Sequence, residues 1–259
     1  MTPLEEKIIK DFDSSEFIVC TDAGLSSAAN RRFNDKQGRK FVTTQSIKKL
    51  KDFLQDFCLA DEGWYLEGSS KTYKLSELDE KADYDKTFFK DRWINEDGLE
   101  QHLIVTYSIK YKEYQKWIRE RQIERAKKYV AAPSKLNKKN PNDPKRFVDQ
   151  EHCTADGEIA NHPITSLDQE QIDKESRYDG FYAVCTDLED APSSIIRINQ
   201  KRWEIEECFR IMKTEFKARP VYLSRKDRIT AHFMTCFIAL IIYRILEKKL
   251  DEAFTCEEL

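Results

Sequence analysis

The chain of 259 residues has little of what marks an exported or repetitive protein. It contains only 7 glycines and 7 prolines, which argues against a loop-dominated or repeat architecture. No export signal is visible, because Met1 is followed by a polar run over residues 2–10. The 7 cysteines are scattered, and most lie in apolar runs, where a free thiol behaves as a small hydrophobe. We therefore expect a cytoplasmic protein whose cysteines stay reduced.

Long hydrophobic runs and several enzyme motifs are absent as well. The longest apolar stretch, residues 233–243, is too short for a bilayer, so we expect a buried core helix and no membrane. Paired cysteine or histidine spacings for zinc are missing, as are a phosphate-binding loop and a dinucleotide fingerprint. No serine or thiol nucleophile has a recognisable elbow or histidine partner. These absences exclude the commonest zinc, nucleotide and acyl-transfer sites.

Charge is distributed unevenly, although the formal net charge is only -3. Residues 110–147 carry 13 Lys or Arg against 4 Asp or Glu, and residues 195–230 carry 10 against 5. Residues 149–190 carry 2 basic and 12 acidic side chains. Basic blocks in a nearly neutral chain indicate faces that meet a polyanion such as nucleic acid, although helices with solvated charged faces would give the same counts.

The hydrophobic pattern near the N-terminus predicts a strand–helix–strand unit. Phe17–Thr21 is a continuous apolar run, typical of a strand buried on both faces, and Asp22 and Gly24 follow it in a turn. A short helix is expected over residues 26–33 and a second strand over residues 40–44. Because the connections are short, we expect the two strands to pair in parallel.

The rest of the chain has short β-like runs and longer helical patterns. Short β-like runs lie between residues 63 and 107. Ile109–Val130 is a charged helix, in which Trp117, Ile118 and Ile123 indicate a packed side. A helix with an apolar stripe is expected over residues 195–216. The chain is α/β in class, and we divide it into a core part at 1–50, an insertion at 51–177 that contains the basic helix 109–130, and a return to the core at 178–259.

The predicted helix over residues 195–216 carries the most specific chemical pattern. Arg202 and Glu206 are spaced i,i+4, and Glu206 and Lys213 are spaced i,i+7, so the three lie on one ridge. Taken alone, this spacing is common in solvated salt bridges. An aspartate before a glycine, such as Asp22, is also usually a turn residue or a helix cap.

Taken together, these positions resemble the DDE transposases of bacterial insertion sequences, of the insertion-sequence-four type. The mark of that family is a tyrosine, two residues, an arginine, three residues, a glutamate, six residues and a lysine. The chain fits at Arg202, Glu206 and Lys213, and it departs at Asn199, where the family usually has tyrosine. Asp22 resembles the second catalytic aspartate of the family, at the end of a core strand.

The resemblance implies an RNase H-like catalytic core, incomplete at its N-terminal side, with a β-rich plus helical insertion. Asp22 and Glu206 would be catalytic and would bind metal, with two Mg²⁺ or Mn²⁺ ions in the complete enzyme. Arg202 and Lys213 would bind DNA, with Asn199 in the place of a third DNA contact. The partners would be insertion-sequence ends and target DNA, and the complete enzyme would be a homodimer.

The resemblance also implies a third carboxylate, an aspartate on a strand before Asp22. Only 21 residues precede Asp22, and none of their acidic residues ends a convincing strand, so we expect that segment to be missing. Two other functions stay open. The first alternative is an inactive transposase remnant that only binds DNA. The second is a different RNase H-like nuclease that hydrolyses DNA without joining strands.

Overall fold

A computed structural model describes residues 6–7, 10, 17–35, 39–96, 98–131, 143–153, 159–251, 256 and 258. The strands are β1 (Phe17–Thr21), β2 (Arg39–Gln45), β3 (Trp64–Tyr65), β4 (Thr72–Tyr73), β5 (Phe88–Glu96), β6 (Leu99–Tyr107), β7 (Val148–Cys153), β8 (Ile159–Leu167) and β9 (Phe181–Thr186). The α-helices are α1 (Ala28–Asn34), α2 (Asp52–Leu59), α3 (Ile109–Val130), α4 (Gln169–Ser176), α5 (Pro192–Gln200), α6 (Arg202–Thr214) and α7 (Lys226–Lys249). The chain divides into two compact units, Met1–Ile196 and Arg197–Leu259.

A seven-stranded sheet organises the first unit, in the order β1-β2-β9-β6-β5-β3-β4. Strands β1 and β2 run in parallel, with Phe17 opposite Arg39, so the predicted strand–helix–strand unit is confirmed. The remaining pairs in this sheet are antiparallel, and β7 and β8 form a separate pair. The expected α/β class is therefore confirmed, and the division into three parts stays a prediction.

The main core of this unit lies on one face of the sheet. Leu103 and Val105 of β6 alternate along the strand, as do Ala183 and Cys185 of β9, so all four point to the same side. Helix α2 covers them, and its Cys58 is fully buried. Burial raises the pKa of the Cys58 and Cys185 thiols to about 12, so both stay protonated and unreactive at neutral pH.

A buried ion pair fixes the start of β9 to helix α3. Both terminal nitrogens of Arg119 donate to the carboxylate of Asp179 at 2.5 Å, and their side chains are only 12% and 10% exposed. The next residue, Gly180, has φ +86°, and its N–H donates to Gln115 Oε1 at 2.7 Å. A Cβ at Gly180 would lie 2.7 Å from the Tyr107 ring, so only glycine fits this junction.

Helix α3 has the predicted bounds, but its packed side differs from the expectation. Ile123 and Ala126 pack with Phe147 and Val148 in a small second core. Trp117 is 51% exposed, so the expectation that it packs is wrong. Its position on the helix faces away from the residues that anchor α3 to β9.

The second unit is built from the end of α5, α6 and α7. The single helix predicted over residues 195–216 is divided at Lys201, and α6 ends at Thr214. Helices α6 and α7 pack through Ile211, Leu240 and Tyr243. These contacts fix which side of α6 faces α7.

Helix α7 is longer and more exposed than the sequence predicted. Of its residues, only Cys236, Leu240 and Tyr243 are buried, whereas Ile242 is 61% exposed, so the expectation of a buried core helix is wrong. Its most apolar 18-residue window has a mean hydropathy of 1.8 and is 17% buried. By length and composition α7 could therefore cross a membrane, although a single such helix is weak support for a membrane protein.

The Arg119–Asp179 pair gives a prediction about stability. Asp179→Ala leaves a buried guanidinium without its partner, and we expect it to lower the free energy of unfolding by about 3–5 kcal/mol. Lys110→Ala, on the same helix, removes only an exposed pair with Asp85 and should cost less than about 1 kcal/mol. Urea unfolding followed by circular dichroism measures both, and equal costs for the two variants would contradict the role given to Asp179.

Candidate functional site

Asp22 lies directly after β1, in an exposed turn that its own carboxylate organises. Asp22 Oδ1 accepts hydrogen bonds from the N–H groups of Gly24 at 3.0 Å and Leu25 at 3.1 Å. Asp22 Oδ2 accepts no hydrogen bond from any described residue. One oxygen therefore holds the turn, and the other is exposed.

The residues around this turn keep the carboxylate in place. A Cβ at Gly24 would lie 3.2 Å from Asp22 Oδ1, which is closer than side chains normally approach. Asn30 of α1 donates from Nδ2 to Leu25 O at 2.9 Å, and Ser27 caps α1 by accepting from Asn30 N. The Asp-Ala-Gly sequence thus has a geometric reason, because a larger residue at position 24 would crowd the carboxylate.

Helix α1 is in turn anchored by a buried arginine. Arg31 is 8% exposed and donates from Nη1 to Gln101 Oε1 at 2.9 Å and from Nη2 to Gln45 Oε1 at 2.5 Å. These bonds tie α1 to both β2 and β6. The turn that carries Asp22 is therefore held between β1 and a helix whose movement would break the hydrogen bonds of a buried guanidinium.

The sequence Val-Cys-Thr-Asp occurs twice, ending at Asp22 and at Asp187, and the two aspartates have different surroundings. Asp187 follows β9, which is antiparallel to β2, whereas Asp22 follows β1, which is parallel to β2. The two aspartates therefore lie toward opposite ends of β2. Asp187 Oδ1 accepts from Phe41 N at 2.8 Å, and Oδ2 lies 3.7 Å from Lys40 Nζ. Burial raises the pKa of the Asp187 carboxyl above its usual value. Asp187 is thus a buried tie between strands, whereas Asp22 is exposed.

Glu206 lies in α6, whose acidic residues otherwise form ion pairs. Glu204 lies 3.7 Å from Arg244 of α7, and Glu207 lies 3.4 Å from Arg244 and 3.5 Å from Arg210. Glu206 is exposed and makes no hydrogen bond or ion pair with any described residue. The alternative that it serves in a solvated i,i+4 salt bridge with Arg202 is therefore not supported.

The predicted ridge of α6 is present, and it faces away from α7. Ile211 points to α7, whereas Arg202, Glu206 and Lys213 lie on the opposite side by helical spacing. The predicted apolar stripe is only partly buried, because Ile205 is 55% and Phe209 58% exposed. These two side chains flank the charged ridge, so this side of α6 combines apolar and charged groups.

Asn199 contributes to the same region from the end of α5. It is buried, and its Oδ1 accepts from Arg202 Nη1 at 3.4 Å. Asn199 therefore orients the arginine, a role that the sequence did not predict for it. Its expected contact with DNA is not tested by this geometry.

The structure brings together four of the five predicted site residues, all in the second unit: Asn199, Arg202, Glu206 and Lys213. Asp22 lies in the first unit, and its convergence with Glu206 stays a prediction. No group of three or more His, Cys, Asp or Glu residues that could hold a metal ion occurs within the part of the chain that the structure describes. The donor chemistry still fits a hard cation, because Asp22 and Glu206 are exposed carboxylates with unengaged oxygens.

One polar network was not predicted from the sequence. His102 Nε2 lies 2.6 Å from Asp91 Oδ2, Tyr65 donates to Asp91 Oδ1 at 2.5 Å, and Trp93 stacks on His102. The His102 hydrogen bond is the main cause that lowers the pKa of the Asp91 carboxyl. The ionised Asp91 carboxylate therefore stabilises the folded chain at any pH above the usual pKa of aspartate. This stabilisation is lost as the pH falls through the lowered pKa of Asp91. No sequence motif marks these residues, which meet only through strand pairing.

The chain was compared with protein-family models, curated proteins and solved structures. A family model described as the transposase DDE domain matches residues 2–242 of the chain. No curated protein and no solved structure matches it at a significant level.

The repeated Val-Cys-Thr-Asp sequence allows a matched test of the prediction that the Asp22 carboxylate binds metal. We expect Asp22→Asn to weaken Mn²⁺ binding at least about tenfold, which calorimetry measures, because even loss of a supporting group around a metal costs that much. Asp187→Asn should leave Mn²⁺ binding unchanged. It should also not lower the urea midpoint at pH 7, because the raised pKa of Asp187 means that its charged form opposes folding. Equal metal affinities in the two variants would remove Asp22 from the site.

Proposed function

Because the chain belongs to the transposase DDE domain family, we propose that it carries out metal-dependent cleavage and strand transfer of DNA during transposition. The observation that supports this most directly is the state of Glu206. It is the acidic residue of α6 that no described cation neutralises, and it lies on a ridge between Arg202 and Lys213. A carboxylate that is kept exposed between two cations suits a site that binds a metal and a phosphate together.

The chain's own residues divide the work of such a site. Asp22 and Glu206 would hold Mg²⁺ or Mn²⁺, which when bound would stabilise negative charge on the attacking and leaving oxygens of a phosphodiester. Arg202 and Lys213 would contact the DNA backbone on either side of Glu206 along α6. Asn199 would keep the Arg202 guanidinium in position through its 3.4 Å hydrogen bond.

We further propose the insertion-sequence-four type and an RNase H-like core with the insertion at 51–177. The parallel β1–β2 pair with Asp22 at its end, followed by additional antiparallel strands and then the glutamate helix, supports this arrangement. The partners would be insertion-sequence ends and target DNA in the cytoplasm. A homodimer follows from the chemistry, since joining two element ends to a target needs two sites.

A second candidate is an inactive transposase remnant that only binds DNA. The observation that favours it is that no third metal-binding side chain stands with Asp22 or with Glu206 among the described residues. The first catalytic aspartate of the resemblance is likewise not identified. Nicking by the chain alone separates this candidate from the proposed enzyme.

Glu206→Gln tests the proposed function. We expect it to reduce Mg²⁺-dependent nicking and joining of DNA by at least about 100-fold, because it removes a metal ligand. Glu204→Gln is the matched control on the same helix, and it breaks only the 3.7 Å pair with Arg244, so activity should remain. Nicking by Glu206→Gln at the unaltered rate would end the site assignment. If the unaltered chain binds DNA but never nicks it, the remnant is the correct description.

The convergence of the two carboxylates has its own test. Carboxylates that share a two-metal site, with ions about 4 Å apart, should lie within about 8 Å of each other. Added Mn²⁺ should therefore broaden the amide resonances of both Gly24 and Glu206 in an NMR spectrum of the chain. Broadening confined to one of the two amides would show that Asp22 and Glu206 do not share a metal site.

A further inference from the structure

A row of rings runs along helix α3, half-buried at Tyr111 and exposed at Tyr114 and Trp117. The Tyr111 and Tyr114 rings lie 6.3 Å apart at 25°, and the Tyr114 and Trp117 rings lie 6.4 Å apart at 23°. Arg121 continues the series with its guanidinium 4.7 Å above the Trp117 ring. We call Tyr111, Tyr114, Trp117 and Arg121 the aromatic ladder. The three near-parallel rings and the guanidinium form one continuous row along the helix.

The ladder is accessible, and positive charge extends it. Tyr114 is 55% and Trp117 51% exposed, which is unusual for such large rings on a helix that also has a packed side. Steps of four and three residues from Arg121 lead to Arg125 and Lys128 on the same ridge. Both are exposed, and neither forms an ion pair within the described part of the chain. The ridge is therefore aromatic at one end and cationic at the other.

The opposite side of α3 is held firmly, so the ladder stands on a rigid support. The Arg119–Asp179 ion pair and the hydrogen bond from Gly180 N to Gln115 Oε1 attach it to β9. Ala126 is fully buried against Phe147 farther along the helix. Rings presented on a fixed helix lose little conformational freedom when they bind a ligand.

The combination of rings and cations fits one class of partner best. Phosphates of an intact duplex would be satisfied by the cations alone and would make no use of stacked rings. An apolar protein surface would use the rings and would leave the cations without partners. Unpaired nucleotides use both, because bases stack on aromatic side chains while their phosphates meet arginine and lysine.

We propose that the aromatic ladder of α3 is a stacking platform for unpaired bases of the DNA on which the chain acts. It rests on the proposed function, since it assumes that DNA is the substrate, and it adds a preference for nucleotides that are out of the double helix. Arg125 and Lys128 would hold the phosphates that follow the stacked bases.

The test compares single-stranded and duplex DNA in the absence of metal. The probe is a fluorescent single strand of twelve thymidine nucleotides. Tyr114→Ala and Trp117→Ala should each weaken its affinity about tenfold, the typical cost of removing one stacked ring. Duplex binding should stay unchanged. Phe53→Ala is the control, because Phe53 is 59% exposed on α2, away from the ladder. Arg125→Ala should weaken both DNAs alike and reduce the salt slope by about one.

Fluorescence provides a readout that a merely structural role would not change. A base stacked on Trp117 should quench its emission in the unaltered chain. Trp117→Phe should keep most of the affinity, because a ring remains, and should lose the part of the quenching that Trp117 contributes beside the exposed Trp203. Unaltered single-strand binding in Tyr114→Ala and Trp117→Ala would overturn the platform while leaving the proposed function intact, and so would an equal loss for both DNAs. If the unaltered chain binds neither DNA, the proposed function itself fails.

Discussion

The ion pair between Arg119 and Asp179 is the constraint on which the first unit depends. It fixes the strand β9, which pairs with β2 on one side and β6 on the other, to the long helix α3. Strand β2 adjoins β1, at whose end Asp22 lies, and β6 leads directly into α3. One buried contact therefore attaches the helix that carries the exposed rings to β9, which is separated by β2 from the strand that ends at Asp22. Because the contact is buried and bidentate, neither partner can leave without a large cost.

In the second unit, the ion pairs of two neighbouring glutamates leave the candidate residue Glu206 without a partner among the described residues. Arg244 of α7 draws Glu204 and Glu207 to the inner side of α6. Glu206, between them in sequence, is turned about 100° from Glu207 and about 160° from Glu204 by the helical repeat, and it stays unpaired among the described residues. On one helix, two acidic residues thus form ion pairs with α7, and a third stays exposed.

Patterns that are local in sequence were predicted well. The apolar run of β1, the bounds of α3 and the spacing of Arg202, Glu206 and Lys213 follow from residue periodicity alone. What failed depended on tertiary surroundings. Val-Cys-Thr-Asp reads the same at Asp22 and Asp187, and only the direction of strand pairing separates them. Trp117 and the outer residues of α7 are as hydrophobic as core residues, yet the structure exposes them. The sequence does not state whether a neighbouring element covers such a residue.

The turn at Asp22 has a consequence for ligand binding. Its Oδ1 is held by two amides of its own loop, and glycine at position 24 leaves room for that arrangement. The side chain has therefore lost its rotational freedom during folding, before any cation arrives. Since ordering a flexible carboxylate normally opposes capture of an ion, a pre-set Oδ2 lets the full electrostatic attraction appear as affinity. A four-residue turn, from Asp22 to Leu25, thus sets the orientation of the candidate metal ligand before any cation binds.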